Sequence, residues 1–465
     1  MGEHKASQTE KDRKKKAVKE PEYGCVPSRF WYNFFGTGIA LPILRRYFRL
    51  DVKTDKKIRD LPGPLVFVGN HPSFIDPVIM AATVKGRPIN FVAGEFLFRR
   101  KIFGPVITKG GCIPKAQFRN DLRTVRAMIK VLSRGGTLGI FPEGTRFTDG
   151  HSIPFESGLA SLVKKTGAGV VIFRSHGAYM TWPRWSQSSF RKGRITAEFT
   201  DVLPREKVET MTVDEIHDYL RSALDYNEYE YFSSHPQEFR SKGVASGVQN
   251  IANICPRCEA LNTTKIADAK GDPAFASGSW GKDAKRKKNV LVCSACGNKV
   301  LMNSRGFFEP AGKDDKCFPD LHEWASWEKT VYGKMAAEPG FTLTEKVSLF
   351  KLCDERNHAK VGEGVLTVKD GVITYEGTEC APEDGIIYKK GKPLSKHLGR
   401  DIIKSGKKVT KTYPISGMRG MLIDYGKFVE LFEPKEGAYR YVPENLQRLY
   451  EIQSIVMAMK DQMDS

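Results

Sequence analysis

Leu65-Val66-Phe67-Val68-Gly69-Asn70-His71-Pro72-Ser73-Phe74-Ile75-Asp76 decides how this chain is read. Leu65–Val68 is an unbroken apolar run rich in strand formers, the pattern of a strand covered on both faces in a parallel sheet. Pro72 disfavours helix at His71, so the imidazole sits on a loop just past the strand. Open α/β sheets place their functional loops there. Ser73 with Asp76 makes a capping-box-like start to a helix, and Pro77 fits its first turn. On an ideal helix His71 and Asp76 would stand about 140° apart. They meet only if the histidine precedes the helix and the chain bends back. Asp76 then accepts from Nδ1 and leaves Nε2 as a base. The plain alternative is a surface histidine near an unrelated aspartate.

Outward from this stretch, strand-like and helix-like segments alternate. Asn90–Ala93, Thr137–Phe141 and Gly169–Phe173 read as further buried strands, and Ile195–Phe199 as another. Pro77–Thr83, Asn120–Ser133 and Ser157–Thr166 read as the helices between them, with Val213–Tyr226 closing the unit. Such alternation predicts an α/β domain with a mixed, largely parallel sheet flanked by helices. Phe141-Pro142-Glu143-Gly144-Thr145-Arg146 follows one of these strands and should share the sheet edge with His71. The Arg146 guanidinium can grip a phosphate through two parallel hydrogen bonds. Glu143 can orient that guanidinium or bond a substrate hydroxyl. The alternative here is a helix-capping turn with a surface ion pair.

Both segments resemble motifs of the glycerolipid acyltransferase superfamily, typified by 1-acylglycerol-3-phosphate (lysophosphatidic acid) and glycerol-3-phosphate acyltransferases. His71 matches the family's catalytic histidine and Asp76 its orienting aspartate. Glu143, Gly144, Thr145 and Arg146 match its acceptor-binding block. Phe91 through Gly104 and Gly110 through Lys115 resemble the second block, and Val170–Phe173 the fourth. The resemblance covers about residues 30–230. It implies transfer of a fatty acyl group from acyl-CoA or acyl-carrier protein to a lysophospholipid or glycerol phosphate. In that reaction His71 takes the hydroxyl proton, Asp76 steadies the imidazolium, and Arg146, with Lys115, holds the phosphate. The sequence departs from the pattern at 117, a glutamine where the family usually has arginine, with Lys115 or Arg119 as substitutes. The competing reading is a non-catalytic membrane-associated scaffold on a degenerate acyltransferase fold.

Beyond residue 235 the character changes. Gly243–Asn250 is small and polar, as linkers are. Cys255, Cys258, Cys293 and Cys296 form two Cys-x-x-Cys pairs, the donor set of a structural zinc ribbon over about 250–310. The stretch between them, Gly278 to Asn289, reads as an exposed loop. Its basic run from Lys282 to Lys288 raises nucleic-acid binding as an alternative, which would be strongly salt-dependent and is disfavoured against a solvated loop. From 342 to the end, period-two alternation, the hairpin signal Lys369-Asp370-Gly371 and a terminal helix from about Glu444 predict a small antiparallel β domain closed by one helix. That order loosely resembles pleckstrin-homology modules.

Composition agrees with this division. At 465 residues two or three domains are expected. Lys and Arg number 74 against 54 Asp and Glu, a net charge of +20 that favours anionic partners. Five further cysteines are scattered, which points to a reducing compartment rather than a disulfide framework. Met1–Glu20 is a Lys-rich polar tail without the apolar core of a signal peptide. Phe30–Leu44, aromatic-rich and followed by Arg45, Arg46 and Arg49, has the pattern of a segment lying in the headgroup layer. A buried helix pair is the alternative. The acyltransferase domain with this segment is expected over 21–235, on anionic lipid at the cytoplasmic face of a membrane.

Overall fold

The computed structural model describes residues 23–464 apart from 54–55, 117–120, 274–281, 354–356, 390–391, 394–402, 404, 419 and 434–435. The basic tail, Gln117, Arg119 and the start of the loop from Gly278 lie outside the described residues.

The N-terminal sheet has seven strands: β1 (Asp51–Lys53), β2 (Leu65–Gly69), β3 (Asn90–Gly94), β4 (Ile113–Lys115), β5 (Thr137–Ile140), β6 (Gly169–His176) and β7 (Thr196–Leu203). Their spatial order is β1-β7-β6-β2-β5-β3-β4. Only the β6–β7 pairing is antiparallel, so the sheet is mixed and largely parallel, as its alternating pattern predicts. Every residue of β2 is buried, which explains the unbroken apolar run at the centre of a sheet covered on both faces. Val66, Val68, Val170 and Ile172 face one core, filled by Val131 of α3 (Leu122–Ser133), Leu162 of α4 (Gly158–Thr166) and Leu220 of α5 (Val213–Leu224). Leu65, Phe67, Val171 and Phe173 face the other, against Phe48 of α1 (Leu41–Phe48) and Ile79 of α2 (Asp76–Thr83).

α1 continues a π-helical stretch, Asn33–Ala40, and a single turn, Arg29–Tyr32. Phe30, Trp31, Phe34, Phe35, Ile39 and Ile43 are exposed on it, Phe30 by 67% and Trp31 by 54%. A buried helix pair therefore does not describe this segment. No helix among the described residues is long and apolar enough to cross a membrane.

Gly243–Asn250 departs from the linker reading. Val244, Ala245 and Val248 are buried, and Ser246 O accepts from Gln187 N at 2.9 Å. The buried Arg191 guanidinium donates to Val244 O at 2.6 Å. Gly247 has φ +102°, and a Cβ there would collide with Trp185 O. The small residues serve close packing rather than flexibility. Likewise Asn289, at the end of the expected exposed loop, is buried and donates to Asp283 O at 2.9 Å.

A four-stranded antiparallel sheet follows, β8 (Thr264–Ala267), β9 (Val290–Cys293), β10 (Lys299–Met302) and β11 (Phe308–Pro310). Helix α6 (Leu321–Ala336), which the sequence reading passed over, comes next. The last unit holds β12 (Thr342–Leu352), β13 (His358–Lys369), β14 (Val372–Glu379), β15 (Ile386–Lys389), β16 (Lys392–Pro393), β17 (Lys407–Pro414), β18 (Leu422–Asp424), β19 (Phe428–Glu433) and β20 (Gly437–Pro443), all paired antiparallel. Helix α7 (Arg448–Asp464) closes it, with Tyr450 against Tyr332 of α6. One apolar cluster joins Phe147, Tyr179 and Trp185 of the α/β unit to Trp324 of α6, Leu349 and Val429 of the β unit and Tyr450 of α7.

Candidate active site

β2 and β5 are parallel neighbours, so the loops after them leave the same sheet edge. Two hydrogen bonds stitch the loops together: Phe147 N donates to His71 O at 3.1 Å, and His71 N to the Glu143 side chain at Oε1, 3.4 Å. The His71 ring stacks on Phe141 at 4.6 Å between centroids. The chain bends back as required, and His71 Nδ1 lies 2.9 Å from Asp76 Oδ2. Ser73 N donates to the same oxygen at 2.7 Å, and Ser175 Oγ to Oδ1 at 3.3 Å. The capping box is thus half-formed: the carboxylate reaches back to the backbone, while the Ser73 hydroxyl bonds Trp182 O instead. Asp76 is fully buried; burial raises its pKa, and the bonds from His71, Ser73 and Ser175 oppose that rise. An Nδ1–H donated to this carboxylate leaves the lone pair on Nε2, which has no partner among the described residues, on a side chain partly open to solvent.

Glu143 is buried and bonds the His71 backbone rather than a guanidinium. Burial holds its carboxyl well above the usual range, and Oε2 has no partner among the described residues. Gly144, exposed at φ +68°, makes the turn. Arg146 lies over the Phe74 ring at 5.9 Å without a carboxylate at ion-pair distance among the described residues. Burial, together with the neighbouring cation Arg184, pushes its pKa down to about 10. Lys115 is exposed at the end of edge strand β4, two strands from β5, and no contact brings it to His71 or Arg146 among the described residues.

Three residues join the site that sequence reading missed. Ser175 is placed by pairing of β6 with β2, a contact 99 residues away from Asp76. Arg184 donates to Thr145 Oγ1 at 2.5 Å and to Ile423 O, and its guanidinium lies over Tyr425 at 5.2 Å. The β unit therefore reaches the 143–146 block: Tyr425 also bonds Thr148 Oγ1 at 3.0 Å. Asn70 is fully buried with neither amide atom partnered among the described residues, unmet bonding capacity beside His71. Its position between β2 and His71 is the one signal the sequence offered.

In the segment 255–296, the four cysteine sulfurs lie within 4.8 Å of one another. Sγ of Cys255 is 3.7 Å from that of Cys296, and Sγ of Cys258 is 3.8 Å from that of Cys293. Thiolates about 2.3 Å from a tetrahedral zinc have sulfur–sulfur edges of about 3.8 Å. The donor set and its spacing fit such an ion, with no ligand position left open.

Residues 49–173 match a family model described as Acyltransferase. A chloroplastic 1-acyl-sn-glycerol-3-phosphate acyltransferase of Brassica napus is 25% identical over 169 residues, 36% of this chain and 48% of that protein. One from Chlamydomonas reinhardtii is 29% identical over 205 residues, 44% of this chain and 59% of that protein. The chain spans about half the length of the curated relatives it matches. Among solved structures, the 1-acyl-sn-glycerophosphate acyltransferase of Thermotoga maritima is similar with a TM-score of 0.36 and 21% identity, covering 46% of this chain and 81% of that one.

Proposed function

We propose that this chain, whose α/β domain belongs to the glycerolipid acyltransferase superfamily, transfers a fatty acyl group from acyl-CoA or acyl-carrier protein to a hydroxyl of lysophosphatidic acid or a related glycerol phosphate. The observation that carries the reading is His71, held through Nδ1 by buried Asp76 with Nε2 unpartnered, beside the Arg146 and Arg184 guanidiniums. In this reaction Nε2 takes the acceptor's hydroxyl proton as the oxygen attacks the thioester carbonyl. The Asp76 carboxylate stabilises the imidazolium, and the proton then passes to the departing thiolate sulfur. Arg146 and Arg184 hold the phosphate and so fix the hydroxyl's position. Lys115, exposed at the same sheet edge, adds long-range attraction for an anionic acceptor.

The exposed aromatic segment 29–48 lies on the cytoplasmic surface of a membrane containing anionic lipid, where the acceptor resides. Cys255, Cys258, Cys293 and Cys296 hold a structural zinc ion. The residue ranges 21–235, 250–310 and 342–465 act as catalytic, ribbon and pleckstrin-homology-like units in this reading. An acyl-transfer assay with lysophosphatidic acid and glycerol 3-phosphate acceptors, each with both donor types, tests it. His71→Ala should abolish transfer without changing the melting temperature; substantial residual activity would overturn the assignment.

A further inference from the structure

A cavity of about 1170 Å³ opens along the β1–β7 edge of the sheet, between the end of α1 and the helix Glu228–Ser234. Arg46, Arg49, Lys53, Lys192 and Arg194 line it, and none of the five has a carboxylate at ion-pair distance among the described residues. Two acids also line it, Asp51 and Glu238, the latter engaged by Arg240 at 2.6 Å. Unpaired cations gathered in a concavity repel one another and focus a positive potential that a multivalent anion relieves.

The same cleft carries a column of flat rings. His176 stacks on Tyr231 with centroids 3.9 Å apart, and Tyr231 on His235 at 4.3 Å with an 8° interplanar angle. His176 is fixed by Glu198 at 2.7 Å and Tyr226 at 2.8 Å, so the column has a rigid base. His235 is its exposed outer ring. A preformed stack ending in an exposed ring, surrounded by cations, offers both things a nucleotide presents: a π-face and phosphates. A glycerol or sugar headgroup supplies only the phosphate.

We infer that this cleft binds a nucleotide bearing two or more phosphates, its base on the His235–Tyr231 column and its phosphates on Arg49, Lys192 and Arg194. The cleft and the catalytic pair meet the same strand end, β6, at successive residues: Ser175 bonds Asp76, and His176 lines the cleft. Identifying the nucleotide as the phosphorylated adenosine of a coenzyme A thioester rests on the acyltransferase reading and would select that donor over a carrier protein.

Titration calorimetry of the full chain with adenosine 3′,5′-bisphosphate tests the site without any transfer reaction. Saturable binding should weaken about tenfold or more in Lys192→Glu/Arg194→Glu, whose side chains are exposed and whose replacement leaves the fold intact. His235→Ala should weaken the bisphosphate but leave binding of pyrophosphate, which has no ring, unchanged. Absence of saturable binding, or equal affinity in the double variant, overturns the inference. So does a result in which the double variant loses only affinity for phosphatidic acid vesicles, since the ligand would then be a lipid headgroup. His71→Ala should bind the bisphosphate normally, so loss of transfer and loss of this site are read separately. With the site present, competition by coenzyme A at far lower concentration than by ADP or ATP marks the coenzyme as its source; equal competition marks free nucleotides.

Discussion

Asp76 spends both carboxylate oxygens on holding a loop, a strand end and an imidazole in one arrangement. The local half of this was legible: strand, Pro72 and a carboxylate five residues on require the bend that brings His71 to Asp76. The other half was not, because Ser175 and Arg184 arrive through pairings that no local spacing records. Arg184 is the more consequential. Its planar fork spans Thr145 and Ile423 at once, a geometry that a lysine ammonium cannot reproduce. In the proposed transfer, Arg184→Lys should therefore raise the acceptor KM roughly tenfold while changing kcat less, as loss of binding shared by ground and transition states does. Steady-state kinetics with lysophosphatidic acid as the varied substrate would show it. An equal fall in kcat alone would place Arg184 in the chemical step instead.

At the level of elements, the strands of the α/β sheet were readable because central parallel strands are apolar without interruption. The 243–250 stretch departs from its linker pattern for the opposite reason: glycine, serine and alanine look the same in a linker and in a tight interior. Helix α6 went unnoticed because its buried face, Leu321, Trp324, Ala325, Glu328 and Tyr332, mixes apolar with charged residues. Glu328 is buried there to accept from Asn253 N at 2.8 Å and Ile254 N at 2.7 Å. With zinc bound as proposed, the ribbon these contacts steady should depend on that ion. Chelation should expose the four thiols to a thiol reagent and lower the melting temperature by several degrees, since metal binding and local folding are coupled; readdition of zinc should reverse both. For the 29–48 segment, Trp31→Ser/Phe35→Ser removes two exposed rings that support no core. Co-sedimentation with anionic vesicles should fall by about tenfold or more, with thermal stability unchanged.

Across the whole molecule, a charged cluster pins the loop beyond the 143–146 block to α6. Asp149 accepts from Lys329 at 2.9 Å and lies 3.5 Å from His322 Nδ1, while His151 stacks on His322 at 4.6 Å. These partners hold the buried Asp149 carboxyl well below the usual range, and Asp149 raises the His322 pKa. The depressed acid stabilises the fold above the ordinary carboxylate pKa of about 4, and that stability drains away as pH falls further. The raised imidazole contributes below about 6.5 and loses its contribution as pH climbs through its folded value. Both act together between roughly pH 4 and 6.5. Asp149→Asn should cost about 2 kcal/mol in that window and flatten the pH dependence of the melting temperature, measured by thermal melts across the range. A parallel displacement at every pH would exclude the linkage.

The common core of Phe147, Tyr179, Trp185, Trp324, Leu349, Val429 and Tyr450 bears on how this chain can be inherited. An α/β unit cut after residue 235 would carry a raw apolar wall where those partners sat, and its 143–146 block would lose the Ile423 and Tyr425 contacts. The later units are thus not removable attachments. Shuffling them onto another α/β unit, or trimming this chain after residue 235, requires rebuilding that wall residue by residue.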